Sequence, residues 1–236
     1  MLLNIYKENR NRIMKNLRFF ETTDEYNGEN CSLEDNTVSY VKENELTIFG
    51  NGKSYFTATY NVTSTTSVTR IFGNSFSTNQ VNKMYIDDVE VTPRTIYTFS
   101  TTGEHTVKCE FCELTSCSNM FEYCTSLTSL DLSGLDTSNV SDMSNMFSYC
   151  SGLTSLDLSG LDTSKVTDMS GMFRKCSLTS LIIMGDVSKV TSYSSMFLRI
   201  NTNGTLTYNC AYEDKWNEIL SSNNFPSTWT KTCVTV

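Results

Sequence analysis

The chain has 236 residues, of which 39% are hydrophobic, and its formal net charge is −8. This composition supports a packed core and excludes wholesale disorder, while the acidic balance without a basic patch argues against nucleic acid as a partner. Charged residues are mixed through residues 1–16, so we expect no secretory signal, and no apolar stretch is long enough to insert into a membrane.

The N-terminal part of the sequence carries the weakest pattern. Residues 2–20 are compatible with a helix of mixed charge, and residues 27–30 would end it. Residues 38–41 and 46–49 predict two short strands of a hairpin. We interpret residues 1–50 as an N-terminal attachment segment.

Residues 51–113 alternate apolar and polar side chains in short runs that turn residues separate. The runs are residues 55–62, 68–72, 83–91, 96–99 and 105–111. This spacing is typical of a small antiparallel β-sandwich of immunoglobulin-like architecture. We interpret it as a spacer module.

A repeat of 26 residues follows the spacer. Residues 124–149 and 150–175 are nearly identical, and residues 176–197 form a shortened third unit. Four Met-Phe pairs mark the period: Met120-Phe121, Met146-Phe147, Met172-Phe173 and Met196-Phe197. Each unit begins with a strand pattern, and the apolar side chains that follow are spaced three, three and one apart, which predicts about two turns of helix. Stacked units would bury these side chains between neighbours and align their strands in a parallel sheet.

The ends of the repeat region have the features of caps. Residues 115–124 are similar to the second half of a unit, and after the last unit the pattern predicts a strand at 204–208, an amphipathic helix at 212–220 and a strand at 229–236. Residues 114–236 are therefore interpreted as one capped solenoid. The predicted fold class is α+β, mostly β: an immunoglobulin-like sandwich followed by a short leucine-rich-repeat solenoid of parallel sheet and short helices.

The repeat motif resembles a known family. The stretch LTSLDLSGLDTSNVSDMSNMF, within residues 116–197, is similar to the BspA-like leucine-rich repeats found in surface proteins of gut and oral bacteria and of mycoplasmas. The resemblance covers about a third of the chain and implies adhesion and binding instead of catalysis.

A second resemblance concerns the N-terminal half. Residues 14–26, followed by 38–41, are similar to the opening of virion structural proteins of tailed phages that infect gut bacteria. Residues 97–107 resemble β-modules that precede such repeats in phage and bacterial proteins. The expected absence of a secretory signal favours a virion protein, because a particle assembles in the cytoplasm and leaves by lysis, whereas an adhesin has to be exported.

Several cysteines and the single histidine raise the question of a metal site. Cys109, Cys112 and Cys117 lie near His105 with spacings that zinc sites also use, but residues three apart on a strand point to opposite faces. Buried thiols are the better interpretation, and we predict no metal and no cofactor. Cys124, Cys150 and Cys176 follow the repeat and are expected to form a reduced, buried row, with a disulfide between neighbours as the alternative. The chain holds nine cysteines and no recognised signal, so a full disulfide framework is not expected.

Catalysis is not expected either. His105 is the only histidine, and neither a nucleophile elbow nor a flanking acid accompanies it. Aspartates that repeat along the units suggest calcium as one alternative and a glycan hydrolase as another. Turn formation and helix first turns explain these aspartates better, because rows on a flat surface do not place two carboxylates across a cleft.

The exposed face of the predicted sheet is the candidate binding site. Its residues are Thr128, Ser129, Asp131, Ser133, Thr154, Ser155, Asp157 and Ser159. The predicted function is a non-enzymatic phage virion protein (head fibre, capsid decoration or tail-associated protein) that binds a host surface protein or glycan through this face. The N-terminal segment would contact other virion proteins, and assembly as a homo-oligomer is left open. The alternative is a bacterial cell-surface adhesin of the BspA-like type.

Overall fold

The computed structural model describes residues 54–111, 113–223 and 225–235, and the backbone of two short strands before them. The chain divides after residue 33 into two units, and every described residue belongs to the second unit. The helix predicted at residues 2–20 and the break at 27–30 therefore lie outside the described residues.

The two strands before residue 50 form a hairpin. Strand β1 (Ser39–Lys42) pairs antiparallel with β2 (Glu45–Ile48), with Ser39 opposite Ile48 and Lys42 opposite Glu45. The two strands predicted for this part of the sequence are therefore confirmed.

An antiparallel sheet forms the next layer, and each predicted run contains at least one strand. The strands are β3 (Ser54–Val62), β4 (Thr69–Arg70), β5 (Val81–Ile86), β6 (Val89–Val91), β7 (Ile96–Tyr97), β8 (Gly103–Phe111) and β9 (Leu127–Asp131). Their order in the sheet is β6-β5-β8-β3-β9, while β4 and β7 form a separate antiparallel pair. Alternate residues of β3 are buried, as expected for a strand with one face on a core. The immunoglobulin-like assignment stays a prediction.

Strand β9 links this sheet to the repeat region. It belongs to the first repeat unit by sequence, yet it pairs antiparallel with β3 and also contacts β10 (Ser155–Asp157) of the second unit. The loop after β9 adds two bonds, because Tyr55 N–H donates to the Gly134 carbonyl at 2.9 Å and Asp136 N–H donates to Ser54 Oγ at 2.9 Å. Residues on both sides of the predicted boundary at 113/114 thus share one hydrophobic core.

A parallel sheet runs through the later units. Strand β10 pairs with β11 (Ser180–Ile183), which pairs with β12 (Thr205–Asn209), which pairs with β13 (Thr230–Val234). The first residue of each strand pairs with the first residue of the next strand, so residues at the same position in each strand are neighbours across the sheet. The second residue of β10, β11 and β12 is a leucine in each case, and all three leucines are buried.

The second half of each unit is not a helix, which corrects the prediction of two helical turns. We call these stretches the turn segments; they span residues 117–124, 143–150, 169–176 and 193–200. Every second residue closes a β-turn by donating its N–H to the carbonyl three residues earlier, as Met120 does to Cys117. The residues between them donate to the next unit instead, as Phe121 does to the Met146 carbonyl at 2.8 Å. An α-helix would satisfy these groups internally, so linked turns with the same apolar spacing replace it.

The phenylalanines of the Met-Phe pairs form a stack through the turn segments. The ring centroids of Phe121, Phe147, Phe173 and Phe197 are 5.7, 5.9 and 5.5 Å apart in that order, with interplanar angles of 8°, 3° and 19°. Phe56 packs edge-on against the first ring and Phe225 against the last. The stack therefore has an aromatic closure at each end.

The C-terminal closure has the predicted elements. Helix α1 (Glu213–Ser222) follows β12 and buries Trp216, Ile219 and Leu220 against the core, and β13 completes the sheet. Cys210 and Cys233 form a disulfide with a Cα–Cα distance of 4.8 Å, which ties the segment after β12 to the last strand. The described part of the chain is mostly β, and α1 is its single α-helix.

Candidate binding surface

The predicted site residues lie at the start of the repeat sheet. Seven of the eight are exposed, whereas Thr128 is half-buried and donates its hydroxyl to the Thr59 carbonyl at 3.2 Å. They occupy two neighbouring strands, because Ser129 and Asp131 lie on β9, and Ser155 and Asp157 lie on β10. The structure therefore brings the two sets together at the meeting of the two sheets.

The outward side of the parallel sheet extends this surface over three more strands. We call it the hydroxyl face; it consists of Ser155, Asp157, Ser180, Ile182, Thr205, Thr207, Thr230 and Thr232. Adjacent parallel strands lie about 4.8 Å apart, so these side chains form two rows along the stack. In one row Asp157 is followed by Ile182 and then by two threonines, so the carboxylates of the first two units do not continue.

The threonines of the last two strands were not predicted as site residues. Each strand carries a Thr-x-Thr motif, and the register joins Thr205 to Thr230 and Thr207 to Thr232. The sequence shows the Thr-x-Thr motif twice, but both copies lie after residue 197, where the 26-residue repeat is no longer recognisable. Recognising it would have required the strand register of the C-terminal closure.

The repeated aspartates form local turns. In each Asp-x-Ser motif one carboxylate oxygen accepts the N–H of the serine two residues later, as Asp131 does from Ser133 at 2.9 Å and Asp157 from Ser159 at 2.8 Å. The backbone and hydroxyl hydrogen bonds from Ser133 lower the pKa of Asp131 below its ordinary value. The serine N–H bonds thus fix the orientation of the carboxylates at these turns.

The threonine inside the Asp-Thr-Ser motif connects the units. Thr137 is buried and donates its hydroxyl to the Asp162 carbonyl of the next unit at 2.9 Å. Thr163 does the same to the Asp186 carbonyl at 2.6 Å. The motif thus closes a turn with its aspartate and bonds to the neighbouring unit with its threonine.

The residues considered for a metal have other partners. His105 is buried, with Nδ1 at 2.6 Å from Asp87 Oδ2 and Nε2 at 3.0 Å from the Thr101 carbonyl. Cys112 lies outside the described residues. Among the residues that the structure describes, no three metal-ligating side chains converge.

The cysteines of the repeat lie in a buried row, each a free thiol. Cys150 Sγ donates to the Phe121 carbonyl at 3.0 Å, and Cys176 Sγ donates to the Phe147 carbonyl at 2.7 Å. Burial raises the pKa of Cys176 to about 12 and that of Cys150 well above its usual value. These thiols are therefore neutral packing groups that also bond to the preceding unit.

Comparisons with known proteins give one match. Residues 97–208 match the family model described as "Mycoplasma protein of unknown function, DUF285". A search of curated proteins and a search of solved structures each find no match. In the described part of the chain, no helix has the length and apolarity required to cross a membrane. The chain is thus similar to this family over strands β8 and β9 of the antiparallel sheet, the turn segments, and the parallel sheet from β10 to β12.

Proposed function

We propose that the protein is a non-enzymatic binding protein whose hydroxyl face attaches to a host surface protein or glycan. The observation that carries the proposal is the in-register alignment of Ser, Thr and Asp side chains on the outward side of four parallel strands. An in-register array of hydroxyl donors and acceptors makes many weak hydrogen bonds with a repetitive polar ligand, and display in many copies multiplies them.

The polar groups of this face are held ready for a ligand. Their strands are fixed by ladder hydrogen bonds, and the carboxylate of Asp157 is fixed by a bond from the Ser159 N–H. Binding therefore costs little additional ordering of the backbone. The hydroxyl face carries one carboxylate, that of Asp157, which argues against glycoside hydrolysis because that reaction uses two carboxylates on opposite sides of a bond.

Two settings for this role differ in their support. The first is the particle of a tailed phage, with the protein as head fibre, capsid decoration or tail-associated protein; its support is the resemblance at residues 14–26 and 97–107. The second is a bacterial cell surface, with the protein as a BspA-like adhesin; its support is the repeat motif and the match to a family described from Mycoplasma. Mass spectrometry of purified phage particles distinguishes them, because absence of the protein from particles excludes the first.

Substituting bulky, charged side chains on the hydroxyl face tests its role in binding. In a double variant, Asp157→Lys with Thr207→Lys, we expect binding to host cells to fall at least about tenfold, since β10 and β12, two of the four strands of the face, each lose a hydrogen-bonding side chain. Glu90→Lys with Thr92→Lys is the matched control, because it makes the same charge change at two exposed residues in and directly after β6. Unchanged binding by the folded double variant would exclude the hydroxyl face as the attachment surface.

A further inference from the structure

A second exposed surface lies along the turn segments. The seventh residue of each segment is at least partly accessible, with Tyr123 and Arg199 exposed and Tyr149 and Lys175 half-buried. Together these four residues form what we call the tyrosine–cation ridge. The two tyrosine rings stack with centroids 4.3 Å apart and an interplanar angle of 20°. Lys175 Nζ lies 4.4 Å from the centroid of the Tyr149 ring and donates to the Tyr149 hydroxyl at 2.8 Å.

The backbone does not account for large side chains at these positions. All four ridge residues have a positive φ, between 56° and 62°, a region that favours glycine and asparagine. Four residues earlier, each segment has a second residue with positive φ, and there the chain does use small residues: Asn119, Asn145, Gly171 and Ser195. Within one fold the two positions impose the same conformational demand, so the tyrosines and cations are explained by what their side chains do.

The ridge is a local concentration of positive charge on an acidic protein. Arg174 precedes Lys175, and its guanidinium carbon lies 5.8 Å from the centroid of the Tyr149 ring. Its Nε is buried and has no hydrogen-bond partner among the described residues. The carboxylate beside this cluster is Glu122, whose pKa burial raises although Arg70 and Arg174 act against the rise. Two guanidinium groups, those of Arg70 and Arg174, therefore act on one partly buried acid in a chain of net charge −8.

Tyr123 leaves an aromatic surface open. It is 46% exposed, and among the described residues the aromatic ring that stacks on it is that of Tyr149. Lys175 lies two units further along, about 10 Å away at the spacing of the strands. The ridge thus offers one apolar ring face and, at the distance of two repeat steps, a positive charge.

We propose that the tyrosine–cation ridge binds a glycan that carries anionic groups. The apolar face of a sugar ring packs on the open face of Tyr123, and a carboxylate or phosphate of the same polymer pairs with Lys175 and Arg199. A single-stranded nucleic acid fits less well, because the stacked rings leave no gap for successive bases and the net charge of −8 repels a densely charged backbone. This inference rests on the proposed binding role and adds a second surface to it.

The test measures binding of immobilised polymers to the full chain at physiological ionic strength. The probes are polygalacturonate for carboxylate, glycosylated ribitol-phosphate teichoic acid for phosphate, dextran as a neutral polymer and a single-stranded DNA oligonucleotide. We expect one of the two anionic glycans to bind, and its identity specifies the anionic group. Tyr123→Asn, which keeps a residue suited to positive φ, and Lys175→Gln should each weaken binding about tenfold or more.

Lys165→Gln is the matched control, because it removes the same charge from an exposed lysine of the same unit and should leave binding unchanged. Lys175→Gln carries the test if Tyr123→Asn does not fold. The proposal is overturned if neither anionic glycan binds, if dextran or DNA binds as tightly, or if the folded ridge variants bind like the parent protein.

The hydroxyl-face variant separates this proposal from the proposed function. If Asp157→Lys with Thr207→Lys abolishes polymer binding while the ridge variants bind normally, the ridge proposal fails and the hydroxyl face stands. If host cells are bound but no anionic glycan is, the ridge proposal fails alone.

Discussion

Replacing Phe147 by alanine tests whether the phenylalanine stack holds the repeat units together. The ring is fully buried and lies between Phe121 and Phe173 at centroid distances of 5.7 and 5.9 Å. Removing a buried phenylalanine costs roughly 3–5 kcal/mol, because apolar burial is lost and the cavity is only partly filled. Folded domains are stable by about 5–15 kcal/mol, so the variant should lose a large fraction of its free energy of unfolding.

The free energy of unfolding is measured by urea denaturation of the parent and the variant, with the slope of each transition compared. Phe147→Leu keeps most of the apolar volume and should cost roughly 1–2 kcal/mol, mainly through lost ring stacking. Val89→Ala is the control, because Val89 is 65% exposed and its truncation should change stability by less than about 0.5 kcal/mol. A loss below about 1 kcal/mol for Phe147→Ala, with an unchanged slope, would refute the reasoning.

Three further predictions concern titration, redox state and thiol reactivity. Burial opposes ionisation of both partners in the His105–Asp87 pair, but their mutual hydrogen bond, helped by backbone bonds, raises the pKa of His105 and lowers that of Asp87. The pair therefore stabilises the fold most between about pH 4 and 6.5, and its contribution falls as pH rises through the folded histidine pKa or drops through the folded aspartate pKa. Removing the Cys210–Cys233 disulfide, which spans 23 residues, should cost about 3 kcal/mol, measured as a lower melting temperature in reducing agent. Cys150 should not react with iodoacetamide in the folded protein, as peptide mapping can show, because burial raises its pKa and its thiol is enclosed.

Each of these predictions has its own control. His105→Asn should flatten the stability profile between about pH 6 and 8, and an unchanged profile would contradict the assigned pair. A variant with serine in place of Cys210 and Cys233 should no longer respond to reducing agent, whereas a parent protein equally stable in both conditions would show that the bond contributes nothing. Rapid alkylation of Cys150 without denaturant would mean that the turn segment opens in the folded state.

The repeat period predicted the stacking but not the conformation of half of each unit. The apolar spacing around Met143 and Phe147 fits a helix, and it fits linked β-turns as well, because both return side chains to one side every three or four residues. The two differ in where the backbone N–H groups bond, and the turns bond to the next unit. These hydrogen bonds join residues of different units, so the spacing of apolar side chains within one unit does not predict them. Asn145 and Gly171, which recur where a left-handed residue is needed, were the local hint.

The repeat pattern did not predict the pairing of β9 with β3. The motif at residues 127–131 recurs one repeat later, where it forms β10, so the sequence predicted both strands in one parallel sheet. In the structure β9 pairs instead with β3, about 70 residues earlier in the chain. Of the candidate surfaces, the aspartates at the strand ends were visible in the sequence. The tyrosine–cation ridge was not recognised, although Tyr123 and Tyr149 stand one period apart, because their alignment only becomes a surface when the units stack.

The ladder between the turn segments has a consequence for how such a protein can change over generations. Each pair of adjacent turn segments is joined by the same series of backbone hydrogen bonds. The two residues missing from the third unit lie outside this series, because Phe173 N–H still donates to the Met196 carbonyl at 2.9 Å. A copy of residues 150–175 inserted between existing units would meet matching groups on both sides and leave both closures untouched. The length of the array is therefore a quantity that gene duplication can adjust in whole steps, lengthening or shortening the displayed surface without redesigning the ends.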